Sequence, residues 1–148
     1  MKYIIMSFLI CLCFPIPTTA NPMYVEEEIV ALCNALREAH SLPPLTHNWE
    51  AARVARYKTE DMKSHIYFSH DSPVYGSFFD MLKNFHVPYQ SAGENIAMGF
   101  STPQAVVDAW MASPSHRKNI LSESFTEAGV GHSKDGTVHY WTLILLEP

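Results

Sequence analysis

The run "TVHYWTLILL", residues 137–146, constrains this chain more than any other stretch, because Tyr140, Trp141 and Leu143 through Leu146 put apolar or aromatic side chains on both sides of an extended backbone. A strand with one wet face alternates apolar with polar residues, whereas one buried on both faces reads as a continuous apolar run. Such a strand needs a layer of structure above it and another below. Just upstream, "AGVGHS" (128–133) is a second β-rich run, and the intervening Asp135-Gly136 is a hairpin signal. If Asp135-Gly136 forms the two-residue turn, His132 and His139 lie directly opposite each other across the hairpin, a pair able to grip a metal. "ENIAMGF" (94–100) is a third candidate strand.

The remaining segments carry helical periodicity. "MYVEEEIVALCNALREAH" reads as an amphipathic helix with Glu26, Glu27 and Glu28 toward its positive end, stopped by Pro43 and Pro44. A second helix is expected over about 48–63, with Ala52, Ala55, Thr59 and Met62 on one face, small enough for a close neighbour. A short third, "GSFFDMLKNF", buries Phe78, Leu82 and Phe85. A fourth starts with Thr102 as N-cap and Pro103 at the first helical position, and directs Val106 and Trp110 one way. Helices interspersed with a few strands predict an α/β/α layered sandwich with a small sheet, in a single domain.

The first residues read as a targeting segment. Lys2, the apolar run from Tyr3 to Ile16, and the small residues ending at Ala20 have the layout of a cleavable secretory signal, so the expectation is a signal peptide at 1–20 and a mature domain at 21–148. An uncleaved N-terminal anchor is the competing reading, and the shortness of the run argues against it. Bulky Ile10 and Leu12 before Cys11 and Cys13 argue against a lipid-modified cysteine. Cleavage leaves Cys33 alone, so the mature domain forms no internal disulfide and its core supplies its stability. Cys33 itself reads as a small buried hydrophobe. The formal net charge of -5 and scattered cations predict no nucleic-acid partner. No later apolar run is long enough for stable membrane insertion, and a monomer in the periplasm or outside the cell is expected.

Candidate chemistry gathers on histidines and glutamates. "SPSHRKNIL" (113–121) starts a helix at Pro114, and His116 at its positive end is favoured as the neutral imidazole that can bind a metal. Arg117 and Lys118 are misplaced at such an end, and pairing of Arg117 with a carboxylate is one reading. His70, before Asp71-Ser72-Pro73, and Glu94, in "GEN", are further candidates, although each also reads as an ordinary loop residue. Asn95 reads as a turn-fixing residue. Two imidazoles and a carboxylate suit zinc and related divalent ions and leave a position open for water or a ligand, with Glu127 as a base for such a water. These residues stand more than twenty apart in the chain, so spacing alone does not make a metal site of them.

"FSHDSP", "AGENIAMGF", "WMASPSHRKNIL" and "FTEAGVG…HYWT", in that order, together resemble the CAP superfamily, the cysteine-rich secretory, antigen 5 and pathogenesis-related 1 proteins, and most of all its secreted bacterial branch. The resemblance covers nearly the whole mature chain. It implies a three-layer α/β/α sandwich with a small, mainly antiparallel central sheet, and a cleft of histidines and carboxylates able to hold a divalent metal, zinc foremost. By their motifs His70, Glu94 and His116 correspond to members of that cleft, and Glu127 of "FTEAG" to a fourth. The chain departs from the family where it shows "HYWTL": the histidine of the animal and plant "GHYTQ" pattern is missing, so His139 inherits no role, and Leu143 stands where bacterial relatives usually carry glutamine.

The leading expectation is a binding or effector module for an extracellular or cell-envelope ligand. An alternative is a metal-assisted hydrolase of peptide, ester or cell-envelope bonds with Glu94 or Glu127 as base, against which stands the lack of a G-x-S-x-G or other nucleophile motif. A third, weaker reading is lipid or sterol binding at a patch of Met81, Phe85 and Met98, residues that read first as core because such stripes normally face inward.

Overall fold

A computed structural model describes residues 22–148, with side chains from Val25 onward. The expected signal segment and Cys11 and Cys13 lie outside the described residues. In chain order the elements are α1 (Pro22–Ala39), β1 (Thr46–His47), α2 (Trp49–Ser64), α3 (Phe78–Asn84), β2 (Ser91–Met98), α4 (Pro103–Ala112), α5 (Pro114–Ile120), β3 (Glu127–Asp135) and β4 (Val138–Glu147). The four strands form one sheet in the order β1-β3-β4-β2, antiparallel except for the two-residue pairing of β1 with β3. β1 was not anticipated, since two exposed residues after a pair of prolines carry no pattern.

The doubly apolar run is central strand β4, and the period-2 geometry of a strand sorts its side chains. Trp141, Leu143 and Leu145 enter a core with Ile29, Cys33, Val106, Trp110 and Ile120 from α1, α4 and α5. Ile144 and Leu146 enter a second core with Ala51, Val54, Ala55, Phe78, Met81 and Leu82 from α2 and α3. The sandwich has three layers, as the sequence predicts. Leu143 is fully buried in the first of these cores.

α2 lies unusually close to β3. A Cβ on Gly129 would fall 2.0 Å from the backbone nitrogen of Ala52, and one on Gly131 would fall 2.2 Å from the carbonyl carbon of Ala55. The glycines of "AGVGHS", two apart on the face toward α2, are the recess into which the small-residue face of that helix fits. Asn48 caps α2, its Oδ1 accepting from the Ala51 N–H at 2.8 Å.

Three local expectations change. Glu26 is not a dipole-compensating residue: it is buried, ion-paired with Arg56 at 2.5 Å, and accepts the His132 backbone N–H. In α3 the buried stripe is Phe78, Met81 and Leu82, with Phe85 only half-buried against Tyr57 and Tyr75. The hairpin turn sits one residue later than expected. Asp135 pairs with Val138, so Gly136 and Thr137 are the two loop residues, with Gly136 at φ 56 in the first central position that favours glycine.

Candidate functional site

His70 lies on the loop between α2 and α3, and that loop is fastened from below. Lys58 and Asp61 interrupt the apolar face of α2 and are buried. The Lys58 ammonium donates to the His70 carbonyl at 2.9 Å and to the Tyr67 hydroxyl at 3.1 Å. Asp61 Oδ2 accepts from Tyr67 and, at 2.6 Å, from Ser72. Ser72 Oγ in turn accepts the Val74 and Tyr75 N–H groups. Burial pulls the Lys58 pKa down, opposed by the negative charges of Glu94, Asp61 and Asp71. Burial and the Asp61 hydrogen bond push the Tyr67 phenol up.

Glu94 sits on β2, on the α2 side of the sheet, with its side chain 1% exposed. Its Oε1 lies 2.7 Å from His70 Nδ1, and its Oε2 is buried with no partner among the described residues. The hydrogen bond that His70 donates to the Glu94 carboxylate raises the His70 pKa, against a smaller lowering by burial. The contact occupies Nδ1 and leaves Nε2 as the ring's other nitrogen, on a side chain that is 54% exposed. A carboxylate behind an imidazole fixes the ring and its tautomer, an arrangement common in metal sites.

His116 lies near His70, with the two ring centroids 6.5 Å apart. The next residue of β2 places it. Asn95, fully buried and pointing to the opposite face from Glu94, donates to the His116 carbonyl at 3.1 Å and accepts from Asn119 at 2.9 Å. Adjacent residues of one strand therefore hold the two histidines: Glu94 fixes His70 and Asn95 fixes the helix that carries His116. Burial first, then the neighbouring His70, lowers the His116 pKa. α5 spans only Pro114–Ile120, so Arg117 and Lys118 fall in its last turn, where cations are favoured, and their apparent misplacement disappears. The C-terminal carbonyls of this segment are gathered by Arg37 from α1.

Glu127 does not join the group. It lies on β3, paired with Leu146 of β4, while Glu94 pairs with Ile144 on the other side of β4. Two strand spacings, roughly 10 Å, separate their backbones. Glu127 Oε2 instead accepts from Asn48 Nδ2 at 2.5 Å and braces the start of α2. The sequence also missed Lys58, Asp61 and Tyr67. The signal was present as polar residues inside an otherwise apolar helical stripe.

Among the described residues no three His, Cys, Asp or Glu side chains are grouped to share an ion as they stand. The donor types do fit one: two imidazoles with ring centroids 6.5 Å apart and a buried carboxylate with an unpartnered oxygen suit a divalent transition ion. Cys33 is fully buried among apolar core residues, and burial pushes its thiol up to about 12. Met81, Phe85 and Met98 do not form one patch. Met81 is core, and Met98 lies at the far end of β2 in a shallow apolar groove with Ile66, Phe68 and Val138.

His132 and His139 meet despite the shifted turn. His132 pairs with Trp141 and His139 with Lys134, so the two are diagonal neighbours, yet His132 Nε2 and His139 Nδ1 are 2.9 Å apart. Burial, then the nearby His139 and Lys134, push the His132 pKa down to about 4.

A family model described as the cysteine-rich secretory protein family, CAP, matches residues 30–145. The uncharacterized protein YkwD of Bacillus subtilis (strain 168) is 48% identical over 128 residues, covering 84% of this chain and 49% of its own length. An extracellular protein containing a SCP domain from Bacillus anthracis str. Ames superposes with a TM-score of 0.81 at 38% identity, over 86% of this chain and 41% of that one. A cysteine-rich secretory protein, SAV1118, from Staphylococcus aureus subsp. aureus Mu50 gives 0.74 at 26% identity, over 89% and 40%. The chain thus spans about half or less of the length of each of these relatives.

Proposed function

Because the chain belongs to the cysteine-rich secretory protein (CAP) family, we propose that it works outside the cytoplasm as a binding module whose His70–His116 cleft holds a divalent metal, zinc foremost, and an extracellular or cell-envelope ligand. The observation that carries this reading is the pair of imidazoles separated by 6.5 Å and fixed by consecutive residues of one strand. A bound ion would supply open positions for an oxygen of the ligand. His70 and His116 would hold it, and Glu94, behind His70, would orient the ring rather than ligate. The extracellular setting is supported by the relative from Bacillus anthracis, itself an extracellular protein, and by the targeting layout of residues 1–20. Among the described residues no helix is long and apolar enough to cross a membrane.

Calorimetric titration with zinc tests the reading. The parent protein is expected to bind one ion at the cleft, His70→Ala and His116→Ala to lose it, and Glu94→Gln to bind about 10–100-fold more weakly, the usual cost of removing a ligand's hydrogen-bond partner. No binding by the parent, or equal binding by both alanine variants, refutes it.

A further inference from the structure

The molecule carries a second pair of imidazoles, at the hairpin end of β3 and β4, on the same face of the sheet as Trp141. His132 and His139 project from β3 and β4 into a cavity of about 570 Å³ that is also lined by Glu60, Lys63, Ser101 and Trp141. Their rings meet edge to edge, with centroids 5.1 Å apart and the facing nitrogens 2.9 Å apart, and His132 stacks on Trp141 at 4.0 Å. Trp141 is fully buried and tied to the Phe100 carbonyl, so it gives this wall a rigid floor. The Glu26 carboxylate takes the His132 N–H and fixes the strand at that point.

We propose that His132 Nε2 and His139 Nδ1 form a two-nitrogen chelate for a divalent transition-metal ion of the Cu2+ type, distinct from the His70–His116 cleft. The nitrogens are 2.9 Å apart. That contact is an imidazole–imidazole hydrogen bond, and with both rings turned toward a shared ion the same two nitrogens are close enough to take neighbouring positions on it, with bonds of about 2.0–2.1 Å. Among divalent first-row ions Cu2+ stands highest in intrinsic affinity and takes nitrogen donors in tetragonal geometry, so it is the ion expected to bind here most tightly. Whichever ring donates the shared hydrogen bond moves its proton to its other nitrogen through solvent, so both lone pairs turn to the ion without net proton release. The cavity leaves room for water at the remaining positions. Glu60, paired with Lys63 at 2.7 Å, is the nearby carboxylate, and Lys63 and Lys134 are the cations that oppose the ion.

The test uses the full chain carrying His70→Ala and His116→Ala, so that the cleft contributes nothing. Titration with Cu2+, followed by calorimetry and electron paramagnetic resonance, is expected to show one ion with two imidazole nitrogens, bound more tightly than Zn2+. Adding His139→Gln, or separately His132→Gln, should weaken binding by about a hundredfold or more, beyond the ~10–100-fold of a lost supporting hydrogen bond. Circular dichroism on each variant separates loss of the ligand from loss of the fold, and the His139 variant, on the more exposed ring, is the decisive one. The proposal is overturned if the cleft-less protein binds no Cu2+, if folded His139→Gln binds it equally well, or if the spectrum shows fewer than two nitrogens.

Discussion

Replacing Arg37 by methionine removes the fastening between α1 and the segment that follows α5. The Arg37 guanidinium is fully buried and donates to four carbonyls, those of Pro43 at 2.9 Å, Ile120 at 2.9 Å, Ser122 at 2.7 Å and Phe125 at 2.9 Å. Methionine fills much of the volume and removes the cost of burying a charge, so the loss lies in the acceptors left behind. The bonds to Ile120 and Phe125 are buried, and each orphaned carbonyl costs about 1–3 kcal/mol. The Pro43 and Ser122 carbonyls are nearer solvent and recover part of their bonding from water. The expected loss is about 3–5 kcal/mol, within the range for breaking a buried charged network. For a domain of this size that is a fall in Tm of roughly 10–20 °C. Urea unfolding followed by circular dichroism reads it directly. Lys63→Met, which breaks an exposed helix pair with Glu60, is the control and should cost under about 1 kcal/mol. A loss at Arg37 no larger than that control would show that the four carbonyls find water equally well, and the fastening argument would fail.

Gly129→Ala should cost more than about 3 kcal/mol or abolish soluble expression, because its Cβ meets helix backbone, which cannot rotate away; a normal Tm would contradict the close approach of α2 to β3. Ile66→Gly should stabilise by about 0.5–1 kcal/mol in the same assay, since Ile66 is 88% exposed and holds φ 54 at the end of α2, a position that favours glycine; destabilisation would refute this. In metal-free buffer, NMR titration should place the His70 pKa above and the His116 pKa below their ordinary 6.5. A raised histidine pKa stabilises the fold fully below the unfolded value and loses that contribution as pH rises through the folded one. Glu94→Gln should therefore lower the His70 pKa and remove that dependence, and an unmoved value would show that Glu94 does not govern the ring.

The layers were legible because they follow from local patterns: the two apolar faces of β4, the small face of α2, and Thr102-Pro103 at the start of α4. His70, Glu94 and His116 were picked out through motifs; in the structure Glu94 lies 2.7 Å from His70, and the two imidazole rings are 6.5 Å apart. Where sequence reasoning failed, long-range partners decided. Glu127 bonds Asn48, 79 residues away, and nothing local tells a bracing carboxylate from a cleft carboxylate. Asn95 reads as a turn residue until the strand register turns it toward α5. The hairpin was recognised but its register slipped, because Asp-Gly marks a turn without fixing which of its two positions glycine takes.

The central claim is that strand β2 holds His70 and His116 as two donors for one ion. Zinc-edge anomalous diffraction from crystals of the parent protein, grown with zinc at a concentration that saturates the calorimetric titration, tests it most directly. The account predicts an anomalous peak bonded by both imidazoles, with Glu94 still on His70 Nδ1. A cleft without a peak, or an ion bonded by only one of the two histidines, would contradict it.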